Sequence, residues 1–142
     1  MYLIDTNIFL EVLLSRNRKK DCKKLLALVR DSKITGVVTD FTIYSIMILM
    51  ANLNKLDKLK RFLLSLTAYK GLYIYSTSLT DKINAVQITK EQKLDIDDAI
   101  QYSAALSVNA KAIVSFDKDF NGLRIPRKEP AEILHELKYR PT

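Results

Sequence analysis

Cysteine, histidine and glycine are all scarce in this 142-residue sequence, and each scarcity removes a class of chemistry. Cys22 is the only cysteine, so neither an internal disulfide nor a thiolate zinc site can form within the chain. The single histidine, His135, excludes a histidine-rich metal cluster. Three glycines, Gly36, Gly71 and Gly122, fall in neither a G-x-G-x-x-G loop nor a Walker loop, so phosphate cradles of those kinds are absent. Long apolar runs are missing as well. The longest stretch without a charge, 41–54, has 14 residues, short of the roughly 20 that span a hydrocarbon core. No membrane segment is expected, and the Met-Tyr-Leu-Ile-Asp start has no signal-peptide pattern, which makes a cytoplasmic location the expectation. Acid/base or metal chemistry therefore falls mostly to carboxylates.

What is present is an ordinary globular composition, 48% hydrophobic and 27% charged. The length suits one domain, and no linker, repeat or Pro/Gly-rich boundary divides it, so residues 1–142 read as a single unit. Lys and Arg outnumber Asp and Glu by 23 to 16, giving a formal charge of +7 that favours polyanionic partners such as nucleic acid. A solvated basic surface explains that charge equally well.

Short β-rich runs alternate with segments of helical period, the pattern of βαβ units around a parallel sheet. Strands are expected at Tyr2 to Ile4, Ile34 to Thr39, Leu72 to Tyr75 and Lys111 to Ser115, with helices between them and a last helix opening at Pro130. The fold class is thus α/β, a doubly wound parallel sheet with helices on both faces. The helix from Phe41 to Met50 is apolar nearly all round, so it is either buried on most sides or shared with a second subunit, and a homodimer is the favoured expectation. Ser78 to Asp81 reads as a capping box.

All strands of a parallel sheet end on one edge, where ligands bind. Asp5, Asp40 and Asp117 follow predicted strand ends, and Asp98 opens a predicted helix that leads into the strand before Asp117. Each aspartate alone fits a helix cap or a turn. Gathered together, three or four carboxylates repel unless protons or a cation intervene, and Mg²⁺, which favours oxygen ligands, suits a site lacking imidazole and thiolate. Its natural substrate is a phosphodiester.

The sequence then resembles a known family. Asp5-Thr6-Asn7-Ile8-Phe9, Asp97-Asp98-Ala99-Ile100 and Val114-Ser115-Phe116-Asp117-Lys118-Asp119-Phe120, in this order across nearly the whole chain, are similar to PIN-domain nucleases, most closely the VapC-type toxins of toxin-antitoxin pairs. The resemblance implies a ribonuclease that uses Mg²⁺ or Mn²⁺ and is restrained by a small antitoxin protein. By position it makes Asp5, Asp98 and Asp117 metal-binding catalytic acids, Ser115 their neighbour, and Thr6 and Asn7 supports. Many relatives carry a glutamate where this chain has Ser45. Three outcomes follow: Asp40 replaces the missing acid, a three-acid site holds metal less tightly, or the chain is a non-catalytic module that binds RNA or protein. Arg16, Arg18, Lys19 and Lys20 cluster between the first two helices and are the candidate RNA-phosphate contacts, against the alternative of a solvated face. His135 and Cys22 are expected to play no catalytic part.

Overall fold

A computed structural model describes residues 1–138, so residues 139–142 of the expected 1–142 domain lie outside the described part. Its elements are β1 (Tyr2–Ile4), α1 (Thr6–Leu13), α2 (Lys19–Arg30), β2 (Gly36–Thr39), α3 (Asp40–Asn52), α4 (Leu56–Leu66), β3 (Leu72–Tyr75), α5 (Leu79–Gln92), α6 (Ile96–Ser107), β4 (Ala112–Val114), a 3₁₀ turn (Lys118–Phe120), β5 (Arg127–Lys128) and α7 (Pro130–Lys138). The strands form one parallel sheet in the order β3-β2-β1-β4-β5. The chain winds outward from β1 to β3, then returns across the sheet to lay β4 on the other side of β1. That reversal makes the β1/β4 boundary a topological switch point, where parallel sheets open a crevice beyond their carboxyl ends.

Strand alternation supplies a core on each face. Tyr2, Ile4, Val38, Ala112 and Val114 pack with α1, α2, α3, α4 and α7, whereas Leu3 and Ile113 pack with residues of α5 and α6 together with Phe120 and Ile125. Every one of these side chains is less than one-tenth exposed, and burying each contributes on the order of 1.5–3 kcal/mol before entropy is counted for the larger ones. Gly71 lets β3 begin where it does: a Cβ there would lie 2.6 Å from the carbonyl oxygens of both Val29 and Ile34.

Two local expectations are corrected. The N-cap of α3 is Thr39, whose Oγ1 accepts from Thr42 N at 3.1 Å, and Asp40 is the first helical residue. A fifth strand, β5, pairs with β4 although its two residues, both basic, carry no apolar signal. On α3 the buried side is Thr42, Ile46 and Met50, and Tyr44 and Ile48 on other sides are 62% and 63% exposed. The helix is therefore apolar toward solvent as well as toward the core. No helix among the described residues is long and apolar enough to cross a membrane.

Candidate active site

Register places the first two acids' supports side by side. Ile4 pairs with Val114, so the residues that follow, Asp5 and Ser115, emerge together at the carboxyl edge, and Asp5 N donates to Val114 O at 3.0 Å. Asp5 is 7% exposed and both of its oxygens are hydrogen-bonded, with acceptor capacity left on Oδ2. Oδ1 accepts from Thr6 N at 2.9 Å and from Gln101 Nε2 at 3.1 Å, and Oδ2 accepts from Ser115 Oγ at 2.7 Å. Three donors hold this carboxylate in one orientation as α1 begins.

Ser115 is shared with the next acid, since its Oγ also accepts from Asp117 N at 3.0 Å. Asp117 in turn caps the 3₁₀ turn, accepting from Asp119 N at 2.9 Å. Asp98 lies in the first turn of α6, and one oxygen each from Asp98, Asp117 and Asp119 lies within 4.8 Å of the others. Asp5, expected to join Asp98 and Asp117, is outside that close group but lines the same pocket, and Asp119 takes the third place in the group. Burial pushes the Asp98 carboxyl up to about 7, and the charges of Asp117, Asp97 and Asp5 push in the same direction.

These groups wall a pocket of about 290 Å³ lined by Asp5, Thr6, Asn7, Asp98, Gln101 and Asp117, with Asp95 and Asp97 at its rim and Phe41 and Ser45 on the α3 side. Among the described residues no basic side chain contributes to the wall, in a protein whose net charge is +7. A carboxyl raised to about 7 beside other acids, with no lysine or arginine to offset it, is the donor set that a hard divalent cation fits.

Asp40 is placed elsewhere. Its Oδ1 accepts from Phe41 N at 2.8 Å, Thr77 Oγ1 at 3.0 Å and Thr77 N at 3.2 Å, tying the start of α3 to the segment after β3. It is not among the residues lining the pocket. Ser45 does face the pocket, and its Oγ donates to Phe41 O at 2.9 Å. Arg16 and Arg18 line a second cleft that shares Asn7 with the first. Lys19 reaches Ser15 Oγ at 3.1 Å, and Lys20 is exposed on the first turn of α2. His135 lies on α7, and the Cys22 thiol is pushed up to about 12, by burial first and then by Glu11 and Asp21, which suits packing and not nucleophilic attack.

Gln101 is the residue that sequence reasoning missed. It is 1% exposed, donates through Nε2 to Asp5 Oδ1 and to Thr42 Oγ1 (2.8 Å), and accepts at Oε1 from Thr39 Oγ1 (2.7 Å). Thr42 Oγ1 then meets Thr6 Oγ1 at 2.9 Å. One amide thus joins the ends of β1 and β2 to α3 and α6. Its signal was its position three residues after Asp98, on the same helix face.

A concentration of carboxylates at a parallel-sheet switch point defines an acid-lined α/β domain suited to holding cations. Residues 2–125 match the PIN domain family, and the chain belongs to it. Its fold is similar to a toxin-antitoxin complex from Klebsiella pneumoniae, with TM-score 0.72 and 20% identity over 92% of this chain and 98% of that one. It is also similar to VapC20, a sarcin-ricin loop cleaving toxin from Mycobacterium tuberculosis (TM-score 0.72, 13% identity, 88% and 96% covered). A third likeness is to VapBC2 from Rickettsia felis bound to a DNA fragment from its promoter (TM-score 0.68, 16% identity, 90% and 97% covered). Comparison with curated proteins finds no match.

Proposed function

We propose that this chain is a Mg²⁺- or Mn²⁺-dependent endoribonuclease, the toxin of a pair whose antitoxin is a small protein. The observation that carries the reading is geometric: Asp98, Asp117 and Asp119 present oxygens within 4.8 Å of one another, beside a pocket that Asp5, Asp98 and Asp117 line at the carboxyl edge of the sheet. Membership of the PIN domain family and the toxin folds it resembles support the same conclusion.

Asp98 and Asp117 would hold the ion, with Asp5 from the pocket wall and Asp119 from the same carboxylate group as the further oxygen donors. When bound, such a cation supplies the positive charge that polarises a phosphodiester and lowers the pKa of water. The chain's own residues supply order. Ser115, Thr6 N and Gln101 fix both oxygens of Asp5, so that carboxylate needs little reorganisation on binding. Ser115 also sets the backbone of Asp117, coupling the two acids through one hydroxyl. The Asp98 carboxyl, pushed up to about 7 by burial and the neighbouring acids, would hold a proton more readily than an ordinary carboxyl and would give it up to a bound cation. Arg16 and Arg18, whose cleft shares Asn7 with this pocket, would hold the RNA backbone, with Lys19 and Lys20 at the start of α2 as further phosphate contacts.

Incubation of RNA with the protein in Mg²⁺ and in chelator tests the reading, using the parent and Asp5→Asn. Cleavage only by the parent in Mg²⁺ is expected, and equal cleavage in all samples contradicts it. A second reading, a non-catalytic binding module, rests on Ser45 standing in the wall where relatives carry an acid and on Asp40 being turned to Thr77. It predicts no uptake of Mn²⁺ at millimolar concentration. The exposed Tyr44 and Ile48 of α3 further support a homodimer, which light scattering checks directly.

A further inference from the structure

The cleft that adjoins the acids has a composition of its own. About 460 Å³ in volume, it is lined by Asn7, Glu11, Arg16, Asn17, Arg18 and Phe116. Asn7 belongs to both depressions, and Phe116 lies in sequence between Ser115 and Asp117, so whatever fills this cleft abuts the acids. We propose that it is a subsite for one unpaired guanine base of the RNA, next to the phosphodiester that is cut. This rests on the ribonuclease reading and adds to it a source of substrate choice.

Three features select the ligand. First, the Arg18 guanidinium lies 4.2 Å from the centre of the Phe116 ring, forming a flat platform of the kind on which single-stranded RNA bases stack. Second, Glu11 lines the cleft with its Oε2 buried and without a hydrogen-bond partner. An unpaired buried carboxylate oxygen is costly, and incoming N–H donors relieve the cost. Third, two arginines against one carboxylate leave the lining cationic, which favours a nucleotide over a basic peptide.

The carboxylate can only accept, so it discriminates among base edges. Guanine alone presents two adjacent donors, N1–H and the N2 amino group, to a two-oxygen acceptor. Adenine and cytosine offer one amino group beside a ring nitrogen acceptor that a carboxylate repels. Uracil offers one N–H between two carbonyls. The platform holds any base, and Glu11 chooses among them.

The test is titration of the protein in chelator with GMP, AMP, CMP, UMP and inorganic phosphate, followed by the ¹H–¹⁵N signals of residues 16–18 and 116. GMP is expected to bind at least about fivefold more tightly than the other four probes, the size of one bidentate base contact. Glu11→Gln, nearly unchanged in shape, is expected to abolish the preference, and Arg18→Ala, a change at an exposed side chain, to weaken all four nucleotides. Equal affinity for the nucleotides, equal affinity for phosphate, no shift at these residues, or a GMP preference that survives Glu11→Gln overturns the proposal. Because no cleavage is read, guanine binding without nuclease activity would fault the ribonuclease reading alone. Cleavage without base preference would fault the subsite alone.

Discussion

Asp81 and Asp98 start from the same local position and end in opposite electrostatic states. Each is the third residue of its helix, α5 or α6, and each follows three residues behind a residue able to cap, Ser78 or Asp95. In α5 the capping box closes: Ser78 N donates to Asp81 Oδ2 at 2.8 Å, and Asp81 N donates to Ser78 Oγ at 3.0 Å. Tyr75 and Ser107 hydroxyls add donors at 2.6 Å each. Burial raises the Asp81 carboxyl, yet the hydrogen bonds from Ser107, Tyr75 and Ser78 outweigh it and hold it below the usual carboxylate range. In α6 no side chain caps the helix, and Asp98 faces other acids, so burial and repulsion both raise it. One aspartate is paired for stability. The other has only acids for charged neighbours, Asp117 among them as a hydrogen-bond partner, and nothing positive offsets its charge.

The sharpest way to break this contrast is to truncate the paired acid. Asp81→Ala strands two hydroxyls and an amide where the side chain was 3% exposed, and is expected to cost about 3 kcal/mol of stability by urea unfolding. Metal affinity of the folded protein is expected to stay unchanged. Ser115→Ala acts on the site itself, releasing Asp5 Oδ2 and the Asp117 amide from their shared hydroxyl. It is expected to weaken Mn²⁺ binding by about tenfold in calorimetry and, because it leaves a buried carboxylate oxygen and an amide without that partner, to cost about 1–2 kcal/mol in unfolding.

Asp98→Asn removes repulsion and is expected to stabilise the metal-free protein at pH 8 by about 1 kcal/mol, a figure discounted for the carboxyl's partial exposure. The sign follows from linkage. Asp98 binds its proton more tightly folded than unfolded, so between the usual carboxylate range and about pH 7 stability falls as pH rises. Asp81 is the reverse: its contribution is present above the unfolded carboxylate pKa and is lost as pH falls through its lower folded value. Urea midpoints measured across pH in chelator are expected to decline toward neutrality in the parent and to flatten there in Asp98→Asn. The smallest effect is assigned to Asp40→Ala, which loses bonds to Thr77 and Phe41 N. It is expected to cost about 1 kcal/mol in unfolding and to leave Mn²⁺ affinity within error.

Much of this architecture was legible in the sequence because strands β1, β2 and β4 are short apolar runs with turn residues around them, and burial on both faces demands such runs. The edge strand β3 is apolar and aromatic as well, although Tyr73 and Ile74 are exposed. The edge strand β5 was not legible, since Arg127 and Lys128 are charged and pair only on one side. Asp5, Asp98 and Asp117 were singled out as candidates from their places after strands or at a helix start. Asp40 looked equivalent for the same reason, but it is the first helical residue and not the cap, and its carboxylate turns to Thr77 instead. Gln101 gave little warning, because an uncharged amide on a helix reads as surface until the two threonines and Asp5 are seen around it. The Ser78–Asp81 box was readable from four residues; its Tyr75 and Ser107 partners come from other elements and were not.

The central claim is that the acids around Asp98 are held together for a cation. Calorimetric titration of metal-free protein with Mn²⁺ near pH 7, repeated in buffers of different ionisation enthalpy, tests it most directly. Saturable binding accompanied by release of a fraction of a proton is the expected result, with that release absent in Asp98→Asn. No uptake of metal, or the same proton release from Asp98→Asn, would contradict it.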